Sequence, residues 1–304
     1  MYHYSIIQWL FFFYFYCFFG WIFESTYVSI KSRKFVNRGF MRGPFLPIYG
    51  SGAIMMLVVS MPFQDHIFLT YIAGCIGATI LELVTGMTME ALFKVRYWDY
   101  SNQKFNYKGH ICLSSTIAWG FLTILMTEFL HKGVEKIVFA IPVAVVNVVT
   151  VFMTIYIIID FTLSFKAAMD LRDILVGLEK AREEMERIQK RLDVLIAVAN
   201  DERETRKLES SIRVDELMNS IEEKFNAFRE RVKINPSEFV DDVREEIMEL
   251  RSKYTVEKEQ RQRFKRLKDF YQRSLIKGNP MMQSRHFAEA LEELKKSVNE
   301  RKKK

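Results

Sequence analysis

Five long apolar runs fill the first 160 residues and constrain the fold more than any other feature of the chain. They are Ile6–Ile30, Phe45–Met61, Ile67–Phe93, Ile111–Thr127 and Ile137–Ile159. A bilayer span needs roughly 17–25 mostly apolar residues, and each run reaches that length. Three of them carry no charge; the first carries Glu24 and the third carries Glu82 and Glu90. Buried core helices of a soluble protein are the competing reading. The stretch leaves too little polar sequence to wrap five such helices, so a polytopic membrane bundle is expected. The first run lacks a basic flank and a small-residue cleavage site, which sets it apart from a secretory signal.

The remainder of the chain is the opposite. Residues 1–160 hold 11 Lys/Arg and 8 Asp/Glu, whereas residues 161–304 hold 33 and 29. This split excludes a single soluble globular domain, a disulfide-stapled module and a disordered chain. The expected fold is therefore all-α: a five-helix transmembrane domain over 1–163, then a charged helical tail over 164–304. Cys17, Cys75 and Cys112 lie in or at the ends of apolar runs, without a C-x-x-C pair or a histidine cluster. They read as small packing residues.

Orientation follows from the loop charges. Loop one carries Lys31, Arg33, Lys34, Arg38 and Arg42, and loop three carries Lys94, Arg96, Lys104 and Lys108. Loop two, Pro62–His66, has no Lys or Arg, and loop four has Lys132 and Lys136 only. Loops one and three and the tail are expected in the cytoplasm, with the N-terminus outside and the protein in a cell membrane.

The tail continues the fifth run without a breaker: Asp160–Asn200 contains one Gly and no Pro. Leu171, Leu178, Met185, Leu192 and Ala199 recur at one heptad position, and Ile174, Ala181, Ile188 and Leu195 at another. That pattern predicts a coiled coil, either between copies or within a hairpin. A second stripe runs from Val214 to Val232, Asn235-Pro236-Ser237 breaks it, and Gly278-Asn279-Pro280 marks a further break. Basic and acidic residues alternate here and the net charge of 161–304 is +4, so nucleic acid is not an expected partner.

Chemistry in the membrane half rests with its ionisable residues, which are costly within a span. With the third run entering from outside, Glu82 lies roughly 24 Å in, and Glu90 two turns further, near the inner interface. Glu24 approaches the same side from the first run. Arg38, Arg42 and Arg96 from loops one and three are the expected partners of these carboxylates, of Glu82 above all. Asp99 and Asn106 of loop three complete the candidate cluster. It reads either as a substrate path or as a structural scaffold. Gly74, Gly77 and Ala78 offer a small face for helix packing.

Four separated motifs carry a resemblance. They are G-W-I-x-E at Gly20–Glu24, N-R-G-F-x-x-G-P-x-x-P-I-Y-G at Asn37–Gly50, L-E-x-x-T-G-x-x-x-E at Leu81–Glu90, and W-D-Y-S-x-x-x-F-N at Trp98–Asn106, with Trp119-Gly120 in addition. Over about residues 1–160 the chain resembles the CmpB-like ABC-transporter type IV permease family. The resemblance implies a bacterial multi-span permease component, energised by a separate ATPase subunit. The chain has no G-x-x-x-x-G-K-[ST] loop of its own. No H-E-x-x-H, paired-aspartate metal motif or nucleophile elbow points to an enzyme, a metal or a cofactor. A lipid-active enzyme at the carboxylate–arginine cluster is a lesser alternative. A membrane-anchored scaffold acting through the tail is the stronger one.

Overall fold

The computed structural model describes residues 4–211, 248–250, 252–256, 258–259 and 270–300, with side chains described as far as 191 and 299 in the first and last stretches. Expectations for the Val214–Val232 stripe and the Asn235-Pro236-Ser237 break lie outside these residues. Two compact units result: residues 1–176 with 266–304, and residues 177–265.

The first unit is built from α1 (Ile6–Ser32), α2 (Pro47–Ser60), α3 (Ile67–Phe93), α4 (Leu113–Leu125), α5 (His131–Ala140) and the start of α6 (Val143–Ser211). Ser5 and Gln8 form a reciprocal cap that starts α1. α2 begins at Pro47, whose missing N–H belongs to the first turn where no partner is needed. A short 3₁₀ turn, Met61–Phe63, extends it. Helices α1, α2, α3 and α4 pack in sequence order. Their shared core is Phe12, Tyr16, Ala53, Met56, Leu57, Ala78, Met126 and Val138. Gly74 and Gly77 meet Thr123 and Val59, so the small-residue face of α3 receives its neighbours closely.

Among the described residues, four helices are long and apolar enough to cross a membrane: Ile6–Ser32, Ile67–Phe93, Leu113–Ala140 and Val143–Arg191. Pro47–Phe63 is a shorter apolar helix. Large apolar side chains such as Phe23, Phe68, Phe121 and Phe152 point outward and are more than 60% exposed. A surface of that kind is stable against lipid and costly against water. The protein is a helical membrane protein.

The fourth run departs from expectation. Residues 128–136, expected as a loop, are helical: a π turn at Met126–Leu130 leads directly into α5. Gly133 alone does not stop a helix, and the chain breaks only at Ile141-Pro142, where proline removes the donor. The fifth long helix therefore starts at Val143 rather than Ile137.

α6 is continuous from Val143 to Ser211, as a stretch with no breaker should be. Leu171, Leu178, Ala181 and Ile188 of the heptad stripe are buried in a single copy of the chain. Two helices near the end of the chain belong to the first unit, α7 (Phe270–Gly278) and α8 (Ala288–Glu300). α8 buries Ala290, Leu291, Leu294 and Val298 along one face.

A carboxylate cluster under two folded loops

Loop one is drawn onto α1 by hydrogen bonds to side chains of its last turns. Ser29 Oγ accepts from Val36 N (2.9 Å), Ser25 Oγ accepts from Arg38 N (3.1 Å), and Trp21 Nε1 donates to Asn37 Oδ1 (2.6 Å). These contacts deliver Arg38 to Glu24. Its Nε donates to Glu24 Oε1 (3.3 Å), and Tyr49 of α2 donates its hydroxyl to Glu24 Oε2 (2.6 Å). Tyr49 reaches this position because Gly20 faces it from α1: a Cβ at 20 would overlap the Tyr49 Cβ and ring. The G-W-I-x-E motif thus couples a gap to the carboxylate one turn later.

Loop three folds back over the helices. A two-residue hairpin, β1 (Asn106–Tyr107) with β2 (Ile111–Cys112), closes it. Asn106 is exposed and builds the turn: its Nδ2 donates to Ser101 O and Gln103 O, and its Oδ1 accepts from Gly109 N. It stands apart from the carboxylates. Tyr100 instead reaches down to Glu82, donating its hydroxyl to Oε1 (3.0 Å).

Glu82 is 7% exposed, and its partners differ from those expected. Trp119 Nε1 (2.9 Å) and Ser115 Oγ (3.4 Å) of α4 both donate to Oε2, so three neutral donors and, among the described residues, no arginine converge on Glu82. The reason is depth. Glu82 lies eight residues above Glu90 on α3, about 12 Å along the axis, and an arginine rooted beyond the helix end meets Glu90 first. Arg96 does so: its Nη2 lies 2.7 Å from Glu90 Oε2, and its Nη1 3.4 Å from Asp99 Oδ1. His110 Nε2 joins Glu90 Oε2 at 3.0 Å. Gly86 permits that approach, since a Cβ there would come within 2.9 Å of His110 Nδ1 and 3.2 Å of the Trp98 ring.

Arg42, the third expected partner, binds no carboxylate among the described residues. Its guanidinium lies over the Phe270 ring at 4.0 Å and near Tyr271 at 5.5 Å. The structure therefore sorts the eight sequence candidates into groups. Glu24 pairs with Arg38, Glu90 and Asp99 share Arg96, Glu82 sits with neutral donors, and Arg42 and Asn106 stand outside. Burial pushes the Tyr100 hydroxyl above its ordinary range, and the charge and hydrogen bond of Glu82 push it further. Asp99 is held below the usual carboxylate value. Partial burial acts the other way, and hydrogen bonds from Ser101 together with the Arg96 and Arg285 charges outweigh it.

The chain's last described segment seals these loops. Asn279 is 1% exposed; its Nδ2 donates to Gly39 O (2.9 Å) and Leu275 O (2.9 Å), and its Oδ1 accepts from Arg38 Nη1. Arg38 Nη2 also donates to Tyr97 O (3.3 Å). Arg96 and Gln283 exchange backbone bonds (2.7 and 2.9 Å), Ser284 Oγ donates to Lys94 O (2.7 Å), and Arg285 Nη2 donates to Lys108 O (3.0 Å). The sequence reading marked Gly278-Asn279-Pro280 only as a break, because contacts 240 residues apart leave no local pattern.

A second buried group escaped the sequence altogether. His131, 0% exposed, follows the π turn and holds Tyr16 OH at Nδ1 (2.8 Å) and Tyr4 OH at Nε2 (3.0 Å), while Tyr4 also donates to Glu135 Oε1 (2.5 Å). Single π turns inside helices often accompany functional positions. Among the described residues, no group of three or more His, Cys, Asp or Glu is arranged to hold a metal ion.

The sequence pattern of the family described as Putative ABC-transporter type IV matches residues 11–165. No curated protein and no solved structure matches the chain.

Proposed function

This chain belongs to the ABC-transporter type IV family, and from that premise we propose that it is the membrane-spanning component of a transporter whose energy comes from a separate ATPase subunit. The observation that carries the reading is the pair of carboxylates Glu24 and Glu82 beneath loops one and three, each holding a tyrosine hydroxyl, Tyr49 on Glu24 and Tyr100 on Glu82. Carboxylates at that depth are costly unless they serve a polar passage or a scaffold. In this reading they line the substrate path, Arg38 and Arg96 gate its loop end, and the chain itself catalyses no reaction. Five spans are proposed, with Pro47–Phe63 as the short second one, loops one and three and the tail in the cytoplasm, and the N-terminus outside a bacterial cell membrane. Pairing of copies through Leu171–Ala199 is part of the same proposal, although part of that stripe is already covered within one chain.

The test is affinity purification of the full chain from its native membranes. A co-purifying ATPase whose nucleotide hydrolysis falls when Glu24→Gln or Glu82→Gln is introduced supports the proposal. The absence of any ATPase, together with unchanged cell phenotype for both variants, refutes it. A second reading, a membrane-anchored scaffold, is favoured by one observation: residues 177–265 form a compact unit of their own beyond the family match. Stable capture of cytoplasmic proteins by that region, with no ATPase, would select it.

A further inference from the structure

The loop that carries Arg42 also opens onto a cavity of about 430 Å³, lined by Arg42, Gly43, Tyr156, Ile159, Asp160 and Tyr271. That volume falls in the range of about 300–1,000 Å³ typical of small-molecule sites. Two features of its lining are unusual. Asp160 is 5% exposed, yet among the described residues no Lys or Arg pairs with it; its Oδ2 accepts only the Gly43 N–H (2.8 Å). Arg42 has no carboxylate partner among the described residues either, and is held instead over the Phe270 ring. One cavity thus presents a positive and a negative group that do not neutralise each other. The wall is built for this. A side chain at position 43 would collide with the Tyr156 hydroxyl and with Asp160 Oδ2, so glycine is what lets Asp160 and Tyr156 come up against this loop beside Arg42.

The cavity lies where the apolar run of α6 gives way to Asp160. On the same helix face, Phe152, Ile155 and Ile159 form an outward apolar stripe leading to it, each more than half exposed. We propose that this cavity binds the headgroup of an aminophospholipid, with its phosphodiester on Arg42, its primary ammonium on Asp160, and its acyl chains along the α6 stripe. A guanidinium donates two N–H groups to a phosphate, and a primary ammonium offers three donors to a buried carboxylate. A choline headgroup has no N–H to give Asp160, and a glycerol headgroup leaves its charge unmatched. Ethanolamine-type lipid is therefore preferred over both. The inference stands whether the protein transports or scaffolds.

The full chain, purified in detergent, is incubated with an equimolar mixture of phosphatidylethanolamine, phosphatidylcholine and phosphatidylglycerol, and retained lipid is counted by native mass spectrometry. Retention of phosphatidylethanolamine about tenfold above the others is expected, equivalent to about 1.4 kcal/mol. Asp160→Asn keeps an acceptor for the Gly43 N–H and should bring phosphatidylethanolamine down to the phosphatidylcholine level. Arg42→Gln, at an exposed position, should lower retention of both. Equal retention of the three lipids by the unmodified chain, or an unchanged preference in Asp160→Asn, overturns the proposal. Displacement of the lipid by soluble phosphoethanolamine at equal concentration overturns its assignment to a lipid.

Discussion

Replacing Asn279 by alanine should release the end of the chain from the membrane unit. The side chain makes two neutral hydrogen bonds, to Gly39 O and Leu275 O, and accepts one from the Arg38 guanidinium. A neutral bond contributes about 0.5–1.5 kcal/mol net and one to a charged group about 1.5–3, with more lost when a buried partner is left unsatisfied. Asn279 is almost fully buried, so water cannot substitute without opening the site. The Leu275 bond lies within the segment itself, so the Gly39 and Arg38 bonds set a sum of about 2–4.5 kcal/mol against the docked state, which corresponds to an opening constant raised by on the order of thirty- to two-thousandfold. The reporter is the Arg96–Gln283 backbone pair, which closes only when residues 279–287 sit on loop three. Hydrogen–deuterium exchange of the full chain in lipid nanodiscs, followed at peptides containing residues 96 and 283, measures that opening. Met281→Ala, at a position 51% exposed, should leave exchange unchanged. If Asn279→Ala speeds exchange at both peptides by less than about tenfold, the arithmetic fails, and the docking rests on the apolar contacts of α8.

Glu82→Ala leaves the Trp119 N–H and the Tyr100 O–H without their acceptor and should cost about 2–4 kcal/mol. Glu82→Gln keeps an acceptor and should hold most of that stability; thermal unfolding with Trp119 fluorescence separates the two. Gly20→Ala forces a methyl into Tyr49 and should destabilise by about 1–3 kcal/mol while weakening the Tyr49–Glu24 bond. Burial, reinforced by the Arg96 charge, lowers the His110 pKa from its ordinary 6.5 against the opposing pull of Glu90. The unfolded chain then binds this proton more readily than the folded one, so stability should fall as pH drops below about 6.5 towards the lower folded value. His110→Gln should flatten that slope in melting curves taken from pH 8 to 5, and an unchanged slope would assign it to other groups.

The apolar runs made the membrane helices legible, because whether a segment can enter lipid depends on its own length and composition. The same local logic located the unbroken α6 and the break at Gly278-Asn279-Pro280. It failed at residues 128–136, where Lys132, Glu135 and Lys136 looked like a loop but no residue before Pro142 could end a helix. Glu24, Glu82 and Glu90 stood out individually, since a charge in an apolar run is visible in one dimension. Their partners were not visible. Arg38, Arg42 and Arg96 carried the same charge and the same loop signature, yet one pairs with Glu24, one stacks on Phe270, and one joins Glu90 and Asp99. Only the packed structure decided this, through the depth of each carboxylate along its helix, the gaps left by Gly20 and Gly86, and a distant asparagine, Asn279, that closes over Arg38. A charge is a property of the residue. The group that answers it depends on distances between elements far apart in the chain, and those arise only when the elements pack.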